Sequence, residues 1–133
     1  MNTVRNVSHD PASAPTVLVA EDEVLLRMVI AGYLRDCGFD VVEAGDADEA
    51  VRVLEAGVRV DIVFSDVNMP GRLDGFGLAQ WVRRERPGLK IILTSGTAWT
   101  AKDTSELGAY APILAKPYNH AVVAHRIRTL LAC

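Results

Sequence analysis

The sequence predicts an α/β domain in which a five-stranded parallel sheet carries helices on both faces. Five short apolar runs recur along the chain, and longer amphipathic stretches separate the first four of them. The runs do not alternate between apolar and polar residues, as strands with one solvent-exposed face do. Continuous apolar runs are typical of parallel strands that are buried on both faces. Right-handed crossovers between such strands give a doubly wound sheet.

The first half of the chain supplies two strand–helix units. Residues 16–20 (TVLVA) and 40–44 (DVVEA) are predicted strands. A helix is predicted over 23–38, closed by Gly38, and another over 46–57, with Asp46 as its cap and Gly57 as its stop. The apolar residues at helical spacing in the first helix are Leu26, Val29, Ile30, Tyr33 and Leu34.

The second half continues the alternation. Strands are predicted over 61–65 (DIVFS), 90–95 (KIILTS) and 112–115 (PILA), with a helix over 74–88 that Pro-Gly ends. A closing helix over 120–132 places five apolar residues on one face: Val122, Val123, Ile127, Leu130 and Leu131.

Two segments fit this pattern less well. Residues 1–15 are polar and contain Pro11 and Pro15, so we expect a mobile tail followed by a single domain over 16–133. Residues 96–111 have sparse apolar positions, three Thr and two Gly, which predicts a short or irregular fourth helix. We expect no second domain, since no linker to one is present.

Composition narrows the function classes. The chain has 133 residues, of which half are hydrophobic, and a net charge of -3, so no basic footprint for nucleic acid is expected. The polar start is not a secretory signal, and no apolar run approaches the ~20 residues of a membrane span. Two cysteines without a C-x-x-C pair make a disulfide framework or zinc site unexpected. A cytoplasmic protein is the expectation.

Polar side chains follow four of the predicted strands. They are Glu21 and Asp22 after the first strand, Asp66 after the third, Thr94 and Ser95 in the fourth, and Lys116 after the fifth. Because functional groups gather beyond the carboxyl ends of parallel strands, we expect these side chains to meet at one edge of the sheet. Each of these residues alone also has an ordinary structural explanation, such as a helix start, a turn or a solvated lysine. The prediction therefore depends on their occurring together at the ends of four strands.

This combination indicates phosphoryl chemistry. Three carboxylates brought together need a cation, and an all-oxygen donor set suits Mg²⁺. A carboxylate can act as a nucleophile and form an aspartyl phosphate. Lys116 would add positive charge, and Ser95 or Thr94 would donate a hydrogen bond to a phosphoryl oxygen.

With these motifs the sequence resembles the receiver domain of a two-component response regulator, of the stand-alone type with the flavodoxin-like (βα)5 fold. The resemblance covers about residues 16–132 and rests on four motifs: VLVAEDE, DIVFSDVNMPGRLDG, KIILTSG and LAKPY.

The resemblance implies a role for each site residue. Asp66 is the phosphoacceptor, and a phosphohistidine on a sensor histidine kinase or a histidine phosphotransfer protein is its donor. Glu21 and Asp22 hold Mg²⁺ with Asp66 and the backbone carbonyl of Asn68. Lys116 contacts the phosphoryl group and precedes a cis bond. The domain then signals to a protein target, as a monomer or weak homodimer, without being an enzyme in the usual sense.

Two residues of the family's conformational switch match this sequence less closely than the site residues do. Counting along the fourth strand gives Ser95 as the switch hydroxyl, with Gly96 as its small neighbour, whereas counting back from Lys116 gives Thr94. Ile113 occupies the position where relatives usually carry Tyr or Phe. We therefore expect segment 96–111, which contains Trp99, to be the moving element.

Three alternative classes of protein fit the sequence less well. A pseudo-receiver scaffold usually loses an acid or the lysine, and this chain has them all. A haloacid-dehalogenase-type aspartyl-phosphate phosphatase would carry D-x-D on the first strand. A flavin or nucleotide module would need a phosphate-binding glycine loop, and the stretch 75–80 (GFGLAQ) breaks that fingerprint at Gln80.

Overall fold

A computed structural model of the chain describes residues 14–96 and 113–132. They form one parallel five-stranded sheet, as the sequence predicts, and its strand order is β2-β1-β3-β4-β5. Four helices are present among these residues. The elements are β1 (Thr16–Ala20), α1 (Val24–Asp36), β2 (Asp40–Ala44), α2 (Ala47–Glu55), β3 (Ile62–Asp66), α3 (Gly75–Glu85), β4 (Lys90–Ser95), β5 (Ile113–Ala115) and α4 (His120–Leu131).

The strand order places a topological switch point between β1 and β3. The chain leaves β1 to form β2 on one side and returns to form β3 on the other. Helices at such a point leave in opposite directions, and a crevice opens beyond the strands' carboxyl ends. The acidic residues predicted from the sequence follow or end these two strands.

Two separate cores cover the sheet. One contains side chains of α2 and α3 packed on inward positions such as Leu18, Val63 and Leu93. The other contains side chains of α1 and α4 packed on Val19 and Phe64. The alternation of consecutive residues between the two cores explains why the strands are apolar throughout.

Local signals fix the helix ends. The side chains of Asp46, Asp74 and Asn119 accept hydrogen bonds from backbone N–H groups in the first turns of α2, α3 and α4. Gly38 and Gly57 follow α1 and α2 with φ of +99° and +83°, a conformation that glycine adopts without strain. These ends agree with the sequence predictions for Asp46, Gly38 and Gly57.

Some predicted boundaries are wrong by a few residues. β3 begins at Ile62 and includes Asp66. Just before the strand, the Asp61 carboxylate accepts a 2.7 Å hydrogen bond from the N–H of Thr16, and the N–H of Asp61 donates to the carbonyl of Thr16 at 2.8 Å. α3 ends at Glu85, since Pro87 disfavours helical backbone before it. β5 is described over Ile113–Ala115, and its predicted first residue, 112, lies outside the described residues.

Not every apolar residue at helical spacing faces the core. Leu26 and Val29 of α1 are 40% and 53% exposed, and Val122 of α4 is 44% exposed. Ile30, Leu34 and Ile127 are buried as expected. The first two turns of α1 therefore present an apolar surface, to which Val24, Leu25 and Met28 also contribute.

Three sequence predictions lie mainly outside the described residues. They are the tail over 1–15, the irregular helix over 96–111 and the moving element that includes Trp99. Within the part of the chain that is described, no helix combines the length and apolar character needed to cross a bilayer.

Candidate functional site

Asp66 ends β3 at the centre of the sheet's carboxyl edge. The next residue, Val67, donates its N–H to the carbonyl of Thr94 (2.9 Å) and accepts the N–H of Gly75 (2.8 Å). The start of α3 thus lies directly against the backbone of Asp66 and Val67. Gly75 permits this approach, because a Cβ there would lie 2.6 Å from the Cα of Val67 and would overlap the carbonyl oxygen of Asp66.

The three predicted acids meet beside this strand end. Glu21, Asp22 and Asp66 each offer a carboxylate oxygen, and these oxygens lie within 4.8 Å of one another. Glu21 and Asp66 are buried, at 3% and 5% exposure, whereas Asp22 is half-buried. A hard divalent cation such as Mg²⁺ fits this all-oxygen donor set.

Lys116 joins the same cluster from β5. Its Nζ lies 3.1 Å from Oδ2 of Asp66, to which it donates a hydrogen bond, and 3.5 Å from Oε1 of Glu21. Its backbone N–H donates to the carbonyl of Ser95 at 2.8 Å, which fixes β5 against β4. The peptide bond from Lys116 to Pro117 is cis, as the resemblance implies.

The site's electrostatics reflect close-packed carboxylates. Burial raises the pKa of Glu21 above its usual value of 4.5; the N–H of Glu23 lowers it, while the charge of Asp66 raises it further. Burial alone would lower the pKa of Lys116, but the hydrogen bond to Asp66 and the charge of Glu21 raise it above 10.5. Lys116 therefore stays charged at neutral pH, and the cluster carries net negative charge.

Asn68 lies two residues beyond the phosphoacceptor candidate. Its N–H donates a 3.2 Å hydrogen bond to Oδ1 of Asp66, so the two oxygens of Asp66 are held by different partners. This contact orients the carboxylate. The metal-ligand role implied for the Asn68 carbonyl stays a prediction.

The two candidate switch hydroxyls occupy different levels of the sheet. Thr94 lies level with Asp66 in the strand register, whereas Ser95 lies one residue nearer the carboxyl edge. Both residues are buried. The Thr94 hydroxyl has no hydrogen-bond partner among residues 14–96 and 113–132, while Ser95 has contacts of its own.

Replacing Thr94 with Val is expected to leave the free energy of unfolding unchanged or raise it by about 1 kcal/mol, because a buried hydroxyl without a partner is destabilising. Urea unfolding measures this change. Ser95→Ala is the companion variant, and the switch role predicted for Ser95 requires that only this variant impair a response to phosphorylation. A marked loss of stability in Thr94→Val would mean that its hydroxyl has a partner, and would reopen the choice between Thr94 and Ser95.

Two residues near the site had no role predicted from the sequence, although Tyr118 ends the LAKPY motif. Tyr118 packs edge-on against Phe64, with ring centroids 5.6 Å apart, and burial raises the pKa of its hydroxyl. Arg27 donates to the backbone carbonyl of Glu21. Neither contact has a signal in the sequence, because both depend on how separate elements pack.

Ile113, at the position where relatives usually carry Tyr or Phe, packs against the core on the α2 and α3 side of the sheet.

A groove adjoins the cluster on the α1 side. It has a volume of about 440 Å³, and Leu26, Val29, Lys116, Pro117, Tyr118 and His120 line it. The exposed apolar residues of α1 thus continue to the edge of the candidate site.

Comparisons with known proteins agree with this geometry. The chain is 40% identical over 115 residues to the transcriptional regulatory protein PdtaR of Mycobacterium tuberculosis, covering 83% of this chain and 53% of PdtaR. It is 36% identical over 124 residues to the sensor kinase CckA of Brucella abortus, covering 92% of this chain but 13% of CckA. The chain therefore spans about half of one relative and a small part of the other.

Solved structures give the same result. A response regulator receiver protein from Sinorhizobium medicae superposes with a TM-score of 0.82 at 30% identity, covering 90% of this chain and 96% of that chain. The response regulator TrrA from Thermotoga maritima, in complex with Mg²⁺ and BeF, gives 0.77 at 26% identity, covering 87% and 98%. The family model of the response regulator receiver domain matches residues 17–128. With its sheet order and its acidic strand ends, the chain belongs to the receiver domain family of two-component response regulators.

Proposed function

We propose that this chain is a phosphoacceptor in which Asp66 receives a phosphoryl group and thereby changes the surface that the domain presents to other proteins. One observation carries the proposal. The carboxylate of Asp66 is buried at the carboxyl edge of the sheet, 3.1 Å from Lys116 and beside Glu21 and Asp22.

The reaction needs a carboxylate oxygen with a lone pair that can reach the phosphorus. It also needs positive charge that neutralises the phosphoryl group. An oxygen of Asp66 attacks the phosphorus of a phosphohistidine, the P–N bond breaks, and the imidazole leaves with the electron pair and takes up a proton. Lys116 neutralises charge on the transferred group, and the N–H of Asn68 keeps the carboxylate oriented. The hydroxyl of Ser95, one residue beyond the level of Asp66, is our choice for the donor that then bonds a phosphoryl oxygen.

Glu21, Asp22 and Asp66, with the carbonyl of Asn68, would hold Mg²⁺. When bound, the cation offsets the negative charge shared by the carboxylates and the incoming phosphoryl group. The geometry supports this assignment, because one carboxylate oxygen from each of the three acids lies within 4.8 Å of the others.

The donor we propose is a sensor histidine kinase or a histidine phosphotransfer protein. The exposed apolar residues of α1, which reach the groove beside Lys116, support a protein donor. The output we propose is contact with another protein, carried by one receiver domain over 16–133. The domain assists its own phosphorylation and dephosphorylation without turning over a separate substrate.

Acetyl phosphate labelling tests the proposal. Incubation with Mg²⁺ and acetyl phosphate should add one phosphoryl mass to the native protein, measured by intact mass spectrometry. Asp66→Asn should show no such gain, because an amide oxygen is a poor nucleophile. The same experiment with a phosphohistidine protein in place of acetyl phosphate tests the donor class.

Asp61→Asn is the matched control. Asp61 precedes the opposite end of the same strand and bonds the N–H of Thr16, so its loss should leave labelling intact. Equal labelling of native protein and Asp66→Asn would contradict the assignment of Asp66. An absence of labelling in a native protein that still binds Mg²⁺ would favour a pseudo-receiver scaffold.

A further inference from the structure

Arg27 occupies a position where a cation is ordinarily disfavoured. It lies in the first turn of α1, and the helix dipole places partial positive charge at that end. The first turn contains no acidic residue, and the preceding residue, Glu23, makes no side-chain cap. Despite this, the Arg27 side chain is only 19% exposed. A partly buried cation at the positive end of a helix needs specific partners.

The partners are on β1 and β2. The Nη1 of Arg27 donates a 2.9 Å hydrogen bond to the backbone carbonyl of Glu21, and its Nε lies 3.3 Å from Oε1 of Glu43. The N–H of Glu21 donates to the carbonyl of Ala44 at 3.1 Å. Glu21, which directly follows β1, is therefore held at both its N–H and its carbonyl.

The contact with Glu21 bears on the acidic cluster. The carbonyl that Arg27 binds belongs to the peptide joining Glu21 to Asp22. Fixing that peptide fixes the backbone angles on each side of it, and hence the directions in which the two carboxylates leave the chain. Asp22 is the most exposed of the three acids, so backbone position matters most for it.

We propose that Arg27 is a positioning residue of the divalent-cation site, acting through the Glu21–Asp22 peptide rather than on the cation or the phosphoryl group. Glu43 holds the guanidinium in place, and a planar fork suits the two divergent acceptors better than an ammonium does. This inference rests on the proposed Mg²⁺ site.

The test compares two conservative substitutions on the unphosphorylated full chain. Arg27→Lys keeps the positive charge but cannot reach Glu21 and Glu43 together. We expect its Kd for Mg²⁺, measured by calorimetric titration, to rise about tenfold, the lower end of the range for residues that orient metal ligands. Because charge is retained, such a loss reports geometry and not electrostatic repulsion.

Arg35→Lys is the matched control. Arg35 pairs with the other oxygen of Glu43 at 3.1 Å, lies at the far end of α1 and has no contact with Glu21. Its Kd for Mg²⁺ should stay within roughly a factor of two of the native value, as expected for an exposed ion pair. Glu43→Gln, which keeps Arg27 but weakens its anchor, should give an intermediate Kd and replaces Arg27→Lys should that variant fail to fold.

Labelling by acetyl phosphate supplies a second readout. At saturating Mg²⁺ the labelling rate of Arg27→Lys should return to the native rate, since Arg27 does not contact the reacting groups. A Kd for Mg²⁺ in Arg27→Lys equal to that of the native protein would overturn the inference. So would an equal loss of Mg²⁺ affinity in Arg27→Lys and Arg35→Lys. Either result would leave the phosphoacceptor proposal intact. A native protein that binds no Mg²⁺ would overturn the metal site and this inference with it.

Discussion

Gly75→Ala should lower the free energy of unfolding by about 3 kcal/mol or more, or prevent folding altogether. The added methyl group would meet the carbonyl oxygen of Asp66 and the Cα of Val67. Both obstacles are backbone atoms of a central strand, so no flexible side chain can give way. Relief requires the start of α3 to move off the sheet, which would break the 2.8 Å hydrogen bond between Gly75 and Val67.

Gly32→Ala is the control for this prediction. Gly32 also lies in a helix, but apart from its chain neighbours and its own helix's backbone, no heavy atom of the described residues lies within 4 Å of a Cβ built on it. Alanine there should stabilise the protein by roughly 0.5–1 kcal/mol, because it restricts the unfolded chain and favours helix. Urea unfolding of both variants measures the contrast. Similar free energies of unfolding for the two would mean that α3 does not approach the strand end as closely as described.

The fold was predictable because its signals are local and repeated. Five apolar runs, the Asp46 cap and the glycines after α1 and α2 each lie within one element, so periodicity and turn chemistry suffice. The acidic cluster was predictable for a different reason. In a parallel sheet the strand ends share an edge, so residues distant in sequence converge without knowledge of side-chain packing.

Packing between elements set the limit of prediction. The spacing of Leu26 and Val29 fits a core-facing stripe, yet both are exposed because the covered face of α1 runs through Ile30, Ala31 and Leu34. The Arg27 contact with Glu21 depends on how α1 starts relative to β1 and β2. The choice between Ser95 and Thr94 depends on register against β3. The spacing of residues along the sequence does not determine any of these three features.

Lys116→Met should lower the free energy of unfolding by roughly 3 kcal/mol at neutral pH without Mg²⁺, the lower end of the range for a broken interior ion pair. The lower end applies because Lys116 is 21% exposed. Its loss leaves Glu21 and Asp66, both almost fully buried, facing each other without the ammonium group that lies 3.5 Å and 3.1 Å from them. Lys90→Met, at the opposite end of the sheet, is the control and should cost about 1 kcal/mol for one hydrogen bond to Leu130.

The stability lost in Lys116→Met should depend on pH, in a direction set by the pKa values of Glu21 and Lys116. Glu21 has a pKa raised by burial, so its contribution to stability is present below pH 4.5 and is lost as the pH rises through its folded pKa. The cost of Lys116→Met should therefore shrink on acidification, as the Glu21 carboxyl takes up a proton. Lys116 has a raised pKa, so its contribution to native stability persists below pH 10.5 and is lost above its folded pKa, where the native and variant curves should converge.

Mg²⁺ should stabilise Lys116→Met more than the native protein, because without the ammonium group the folded variant binds the cation more tightly. At a concentration 100 times its Kd, it contributes about 2.7 kcal/mol. Urea unfolding of native protein, Lys116→Met and Lys90→Met, across pH and with or without Mg²⁺, measures all three effects. A loss in Lys116→Met that is the same at pH 4 and pH 7, and that Mg²⁺ leaves untouched, would show that Lys116 stabilises the fold by packing and not by neutralising the acidic cluster.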